Sequence, residues 1–253
     1  MSESSQETTY NIDLLSGSQA AWDRSAGLRL VYGEMYHAVC RRCSEGSILE
    51  IGAGIGVGKA FIHHLVTSDV VQTPYVERAM SAYRVEPNGG QPWDNIFAID
   101  VLHHLQRPFA FFQSAAQMLS PHGRLILVEP AATVGGGVFY SLFHHEPIQR
   151  ELAVPPFEFE ANGPNAEFAN MGIGVSLFRD HRDLVDRKLA EVGLRCVEVK
   201  YRDVLAYPLT GGYSKPQMLP TILLRGILKF EQLLPQWLYR LIGLRLLVVL
   251  EKI

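Results

Sequence analysis

Charge is scarce in this sequence and nearly balanced: 23 Lys and Arg stand against 26 Asp and Glu in 253 residues, a formal net charge of −3. Nucleic acid is met by a strongly basic face, so that class of substrate is set aside. Cysteine is scarcer still. Cys40, Cys43 and Cys196 are too few for a disulfide framework. Cys40 and Cys43 do form a C-x-x-C pair. A redox pair, however, sits at a helix N-terminus after a strand, and a zinc site needs two further ligands at matching spacing. This pair closes a helical pattern and has no second pair, so it reads as two helix-end thiols in a reducing cytoplasm. Long apolar runs are missing as well. Met1 to Thr9 is polar, without the apolar stretch of a secretory signal. Nothing approaches the ~18 apolar residues of a spanning helix, and Leu241 to Leu250 is short and broken by Arg245. A cytoplasmic protein is expected.

What is present is apolar periodicity. Residues 1 to 20 are polar and expected to be mobile. Leu28, Val31, Tyr32, Met35, Tyr36 and Val39 repeat at helical spacing and predict a helix ending near Gly46. Ser47 to Ile51 reads as a buried strand, followed by a helix over 57–66, a strand over 69–73 and a short helix over 77–83. Asn95 to Ile99 and Arg124 to Val128 are the next strands, with a helix between them on Phe109, Phe112, Ala116 and Leu119. After an irregular stretch over 131–178 come a helix stopped by Gly193, a strand over 194–199, a helix between Pro220 and Pro235, and a final strand over 244–251. Strands alternating with helices predict a mainly parallel sheet covered on both faces. The stretches 131–178 and 206–243 are insertions expected to lie over one end of that sheet.

The most informative segment is Ile48-Leu49-Glu50-Ile51-Gly52-Ala53-Gly54-Ile55-Gly56-Val57-Gly58, a strand running into a glycine turn. A phosphate-binding P-loop is excluded: Ala60 replaces the hydroxyl residue after Lys59, and Ala53 stands where the first glycine is required. A dinucleotide fingerprint is excluded too, because Val57 and Lys59 occupy the positions of its third glycine. What remains is acidic-x-Gly-x-Gly-x-Gly at a strand end. With Asp94 to Leu105 and Met118 to Pro130 following in order, the sequence resembles the class I, Rossmann-like S-adenosylmethionine-dependent methyltransferases of the type 11 kind, over roughly residues 46–130.

The resemblance implies one three-layer α/β/α methyltransferase domain over 1–253. Its seven-stranded sheet would be mostly parallel with an antiparallel last strand. Residues 1–45 would be a tail and cap helix, and the insertions at 131–178 and 206–243 helical lids over the acceptor pocket. It implies S-adenosylmethionine as cofactor and S-adenosylhomocysteine as product, held by Glu50, Gly52, Ala53, Gly54, Gly56, Asp100 and Val101. The family also carries an acidic residue at the end of the second strand, for the ribose. With that strand read as 69–73, Pro74 falls near its place and Glu77 is the substitute.

Methyl transfer needs the nucleophile aligned with the methyl, and a hydroxyl acceptor needs a base, a task that suits histidine near neutral pH. His144 and His145 are the expected catalytic residues, with His104, Glu129, Glu146 and Tyr213 on the acceptor side. No metal is expected, since the adjacent side chains of His144, His145 and Glu146 do not readily converge on one ion. The expected partner is a small-molecule acceptor. A lipid-linked acceptor at a membrane surface would suit Arg225, Lys229, Arg240 and Arg245 set among leucines, and dimer packing is a further use of the same helix. The alternative function is a protein of this fold that no longer transfers methyl groups, acting as another enzyme or a binding protein.

Overall fold

The computed structural model describes residues 13–144, 146–160 and 168–253. The chain opens with helices α1 (Asp13–Arg24) and α2 (Ala26–Cys40), then strands β1 (Ile48–Ile51), β2 (Leu65–Asp69), β3 (Arg78–Ala79) and β4 (Trp93–Ile99). Helix α3 (Pro108–Met118), strand β5 (Leu119–Pro130) and helix α4 (Val134–Phe143) follow. Next come α5 (Ile173–Val175), which runs into a π-turn, then α6 (Arg182–Glu191), β6 (Leu194–Arg202) and α7 (Ala206–Leu209). Helices α8 (Thr221–Glu231) and α9 (Gln236–Ile242) lead to the last strand, β7 (Arg245–Lys252).

The strands form one sheet in the order β3-β2-β1-β4-β5-β7-β6, parallel throughout except for β7, which is antiparallel to both neighbours. This is the expected mixed seven-stranded sheet. Its central strands are apolar on both faces because both are covered. Along β5, Leu125 and Leu127 face the side of α3 and α6, where Phe111, Phe112, Val185 and Leu189 pack. Ile126 and Val128 face the side of α2, against Leu28, Met35 and Val39. Ser25 caps α2 by accepting the Leu28 N–H, and Gly193, at φ 78°, ends the turn after α6.

Four local expectations are corrected. Helix α1 begins at Asp13, inside the stretch expected to be mobile; residues 1–12 lie outside the described residues. The helix expected over 57–66 is a single 3-10 turn, Val57–Ala60. The second strand is Leu65–Asp69, not 69–73, and the expected helix over 77–83 is instead the two-residue β3 with turns. The apolar pair Val70-Val71 suggested a strand, but the strand ends just before it. Its polar members Thr67 and Ser68 are fully buried and hydrogen-bonded: the Ser68 hydroxyl donates to the Glu50 carbonyl at 2.8 Å, and the Glu77 N–H is shared between the Thr67 carbonyl at 3.0 Å and its hydroxyl at 3.4 Å. Residues 52–64 alone cross from β1 to β2, and Phe61 within them stacks on Tyr36 of α2 at 5.4 Å.

Candidate active site

The carboxyl ends of β1, β2, β4 and β5 converge on the glycine turn, the place where open parallel sheets take ligands. Gly52 and Gly56 adopt φ of 69° and 66°, and a Cβ on either would strike Val101 or the Tyr75 carbonyl, so the turn can close only with glycine there. At Gly54, φ 55°, a Cβ would meet nothing within 4 Å: this face of the turn is open. Ala53 is buried, its N–H donated to the Ser68 carbonyl at 2.9 Å.

Two carboxyls flank the turn. Asp69 ends β2 and accepts the Gly54 N–H at 2.8 Å and the Val70 N–H at 2.7 Å. The acidic residue at the second strand end is therefore Asp69, which sequence reasoning missed by placing that strand four residues late. Glu77, the expected substitute, sits beside β3 with its side chain half exposed and paired with Lys59. The signal available was Asp69 itself, an acidic residue closing the run Leu65-Val66-Thr67-Ser68. Glu50 is fully buried on β1. Its Oε1 accepts the Tyr36 hydroxyl at 2.8 Å, while Oε2 has no hydrogen-bond partner. Burial, outweighing the Tyr36 bond, pushes this carboxyl up to about 8.

Beyond Val101 lies a cluster of imidazoles and carboxylates. Glu129, at the end of β5, accepts the N–H groups of Val101 and Leu102 at 2.9 and 2.8 Å and His103 Nδ1 at 2.7 Å. Glu146 comes in from the segment after α4, 3.3 Å from His103 Nε2, 3.7 Å from His104 Nε2 and 3.8 Å from His144 Nδ1. His104 Nδ1 bonds to the Phe168 carbonyl at 3.2 Å. Burial opposes charge on His103, but the two carboxylates outweigh it and raise its pKa to about 10. Burial and the neighbouring His103 lower His104 to about 4. The structure thus unites His104, Glu129, Glu146 and His144, adds His103, and leaves His145 outside the described residues.

On the other side of β4, Asp100, at φ 58°, pairs with the buried Arg245 that opens β7. That guanidinium lies over the rings of Tyr207 at 4.8 Å and Tyr32 at 5.8 Å, and Tyr213 meets Tyr32 edge-on at 5.6 Å. Tyr213 therefore lies near the carboxyl end of β4, and Asp100 lines the same end while engaged by Arg245. In the remote C-x-x-C pair Cys40 and Cys43 are free, and burial pushes the Cys43 thiol up to about 12.

A family model described as a methyltransferase domain matches residues 38–198, which contain the glycine turn, Asp69 and the His–Glu cluster. The chain belongs to this methyltransferase family. No curated protein matches the methyltransferase. Among solved structures it is similar to a SAM-dependent methyltransferase from Archaeoglobus fulgidus, at 11% identity over 89% of this chain and 94% of that one, with a TM-score of 0.50. A SAM-dependent methyltransferase from Thermotoga maritima matches at 15% identity over 89% and 90%, also with a TM-score of 0.50. At such identities the likeness shows the fold, the class I methyltransferase fold expected from the sequence.

Proposed function

We propose that the protein transfers a methyl group from S-adenosylmethionine to a small-molecule acceptor. The observation that carries this is the glycine turn with its open face at Gly54, flanked by a carboxyl on each side. Backbone at Gly52, Gly54 and Gly56 admits the ligand closely, Asp69 accepts from the ribose hydroxyls, and the unpartnered Oε2 of Glu50 accepts from the amino group. Val101 closes the crevice toward β4. The cofactor supplies an electrophilic methyl on a sulfonium; the protein supplies alignment and exclusion of water.

The acceptor is a hydroxyl bound over β4 and β5, beneath a lid formed by the insertions at 131–178 and 206–243. His104, Glu129, Glu146 and Tyr213 line its side. His144 is the base, because the Glu146 carboxylate 3.8 Å away stabilises the imidazolium that forms when it takes the hydroxyl proton. A second reading, a member of the fold that binds without transferring, is favoured by the β1–β2 crossover, which carries one 3-10 turn in place of a helix.

Calorimetry with S-adenosylhomocysteine separates the two. Binding in the wild type, weakened about 10- to 100-fold in Asp69→Asn and unchanged in Glu77→Ala, is expected from losing one charged hydrogen bond. No affinity in the folded protein would sink the transferase reading. His144→Ala should keep that affinity and lose turnover; a variant that turns over normally removes His144 as base.

A further inference from the structure

The His–Glu cluster beyond Val101 has a geometry that hydrogen bonding alone does not satisfy. His104 gives its Nδ1–H to the Phe168 carbonyl, so in the neutral ring Nε2 carries the lone pair, which faces the Glu146 Oε1 at 3.7 Å. Two acceptors pointed at each other repel unless a cation stands between them. Glu146 Oε2 is buried with no hydrogen-bond partner, although His103 Nε2 lies 3.3 Å away. One ligand atom from each of His103, His104 and Glu146 lies within 4.8 Å of the other two, and both Nε2 atoms face the Glu146 carboxylate, at 3.3 and 3.7 Å. Ligand atoms held 2.0–2.1 Å from a tetrahedral ion stand roughly 3.3 Å apart, close to what these side chains already show.

The surroundings have the form of a second coordination layer. His103 Nδ1 is fixed by the Glu129 carboxylate at 2.7 Å, and Glu129 is itself held by the Val101 and Leu102 N–H groups. His104 Nδ1 is fixed by the Phe168 carbonyl. Both rings are thus anchored through Nδ1 and present Nε2 inward, as a carboxylate–histidine–metal arrangement requires. The residues weighed as metal ligands from the sequence were the adjacent His144, His145 and Glu146. The fold assembles another set, joining neighbouring imidazoles on the turn after β4 to a carboxylate from the far insertion.

We propose that His103 Nε2, His104 Nε2 and the Glu146 carboxylate bind one divalent transition-metal ion of the zinc kind. Two imidazoles and one carboxylate suit such an ion rather than magnesium or calcium, which take oxygen ligands. Three protein ligands leave a position open, the pattern of catalytic rather than structural sites. That position adjoins the cofactor crevice, because Glu129 holds Val101 and Val101 packs on Gly52. Resting here on the methyl-transfer reading, an acceptor oxygen in the open position would lose its proton more readily to His144.

The test uses tag-free full-length protein stripped with a chelator, titrated with Co²⁺ by visible absorption and with Zn²⁺ by calorimetry. One ion per chain is expected. Affinity should fall at least about 100-fold in His104→Ala and in the near-isosteric Glu146→Gln, and about 10- to 100-fold in Glu129→Gln. His122→Ala, remote from the cluster, should bind as the wild type does. No stoichiometric binding, or equal binding in Glu146→Gln with an unchanged melting temperature, overturns the proposal. S-adenosylhomocysteine binding by the metal-free protein is read separately, so failure of the metal site and failure of the transferase reading remain distinct.

Discussion

At Glu50 the chain keeps a carboxyl where solvent cannot reach it, and the pH dependence of stability should report that. Burial, against the Tyr36 hydroxyl bond, raises its pKa to about 8, whereas in the unfolded chain it titrates near the ordinary value of 4.5. Between those values the folded state holds a proton that the unfolded chain has released. Stability must therefore fall as pH rises from about 4.5 and level off, for this group, above about 8. Each tenfold difference in proton affinity between the two states amounts to about 1.4 kcal/mol. Glutamine at position 50 stays neutral throughout and still offers Tyr36 an acceptor. Glu50→Gln should therefore melt near the wild type at pH 5 and clearly above it at pH 9, in the absence of ligand. A constant gap between the two melting curves from pH 5 to 9 would show that Glu50 is ionised in the fold. The same substitution should weaken S-adenosylhomocysteine, since a bound ammonium favours the ionised form of Glu50 and glutamine cannot supply that charge.

Strand β7, hydrogen-bonded to β5 and β6 along its length, carries a buried cation at its first residue. Arg245 is buried between Asp100, at the end of β4, and Asp203, whose Oδ2 lies 3.9 Å from the Arg245 Nε. Tyr207 and Tyr32 cover its faces. Removing a buried partner strands the other charge, at about 3–5 kcal/mol. Arg245→Met should lose that much in urea denaturation, and a double-mutant cycle with Asp100→Asn should show the two sites coupled. A loss under about 1 kcal/mol would mean that the tyrosine packing, not the charge, holds the strand end. This element also marks how far the sequence could be read. β1, β4, β5 and β7 are legible because their apolar runs are buried on both faces, and β1 and β5 are further marked by Gly52 and Pro130 at their ends. β2 is not, because its buried Thr67 and Ser68 are satisfied by bonds to other segments that no local pattern contains. The glycine turn was readable for a similar reason to β1, since its conformation is set by the residues themselves. Arg245, expected with Arg225, Lys229 and Arg240 on an interfacial surface, is instead buried against Asp100; its role, like that of His103, comes from a partner distant in sequence, and that of Asp69 from a strand boundary misplaced by Val70-Val71.

On the scale of the whole molecule, the exposed apolar side chains concentrate on three helices. α4 exposes Val134, Val138, Leu142 and Phe143, α8 exposes Ile222, Leu223 and Phe230, and α9 exposes Trp237 and Leu241, with Leu233 at 81% on the turn between α8 and α9. α4 packs against α9, and Lys215 lies over the Phe143 ring at 5.2 Å. The charge there is one-sided. Lys215, Arg225, Lys229 and Arg240 are exposed, and the single carboxylate of residues 134–143 and 206–243, Glu231, is buried beneath the Leu205 and Ala206 N–H groups. In a chain of net charge −3, an apolar face whose own segments expose only cations is complementary to an anionic lipid surface. No described helix is long and apolar enough to cross a membrane, so contact of this kind would be peripheral. The methyltransferase should co-sediment with vesicles containing phosphatidylserine and far less with pure phosphatidylcholine, and salt should release it. Leu233→Ser with Trp237→Ser should abolish that binding while S-adenosylhomocysteine affinity stays as it was. Arg225→Glu with Lys229→Glu should weaken it on anionic vesicles only. If the wild type ignores both vesicle types but runs as a dimer that the serine pair dissociates, the face pairs two copies of the chain and the lipid reading falls. If vesicles bind, the acceptor is to be sought among molecules with a lipid tail, because this face is built from the same insertions that we propose roof the acceptor site.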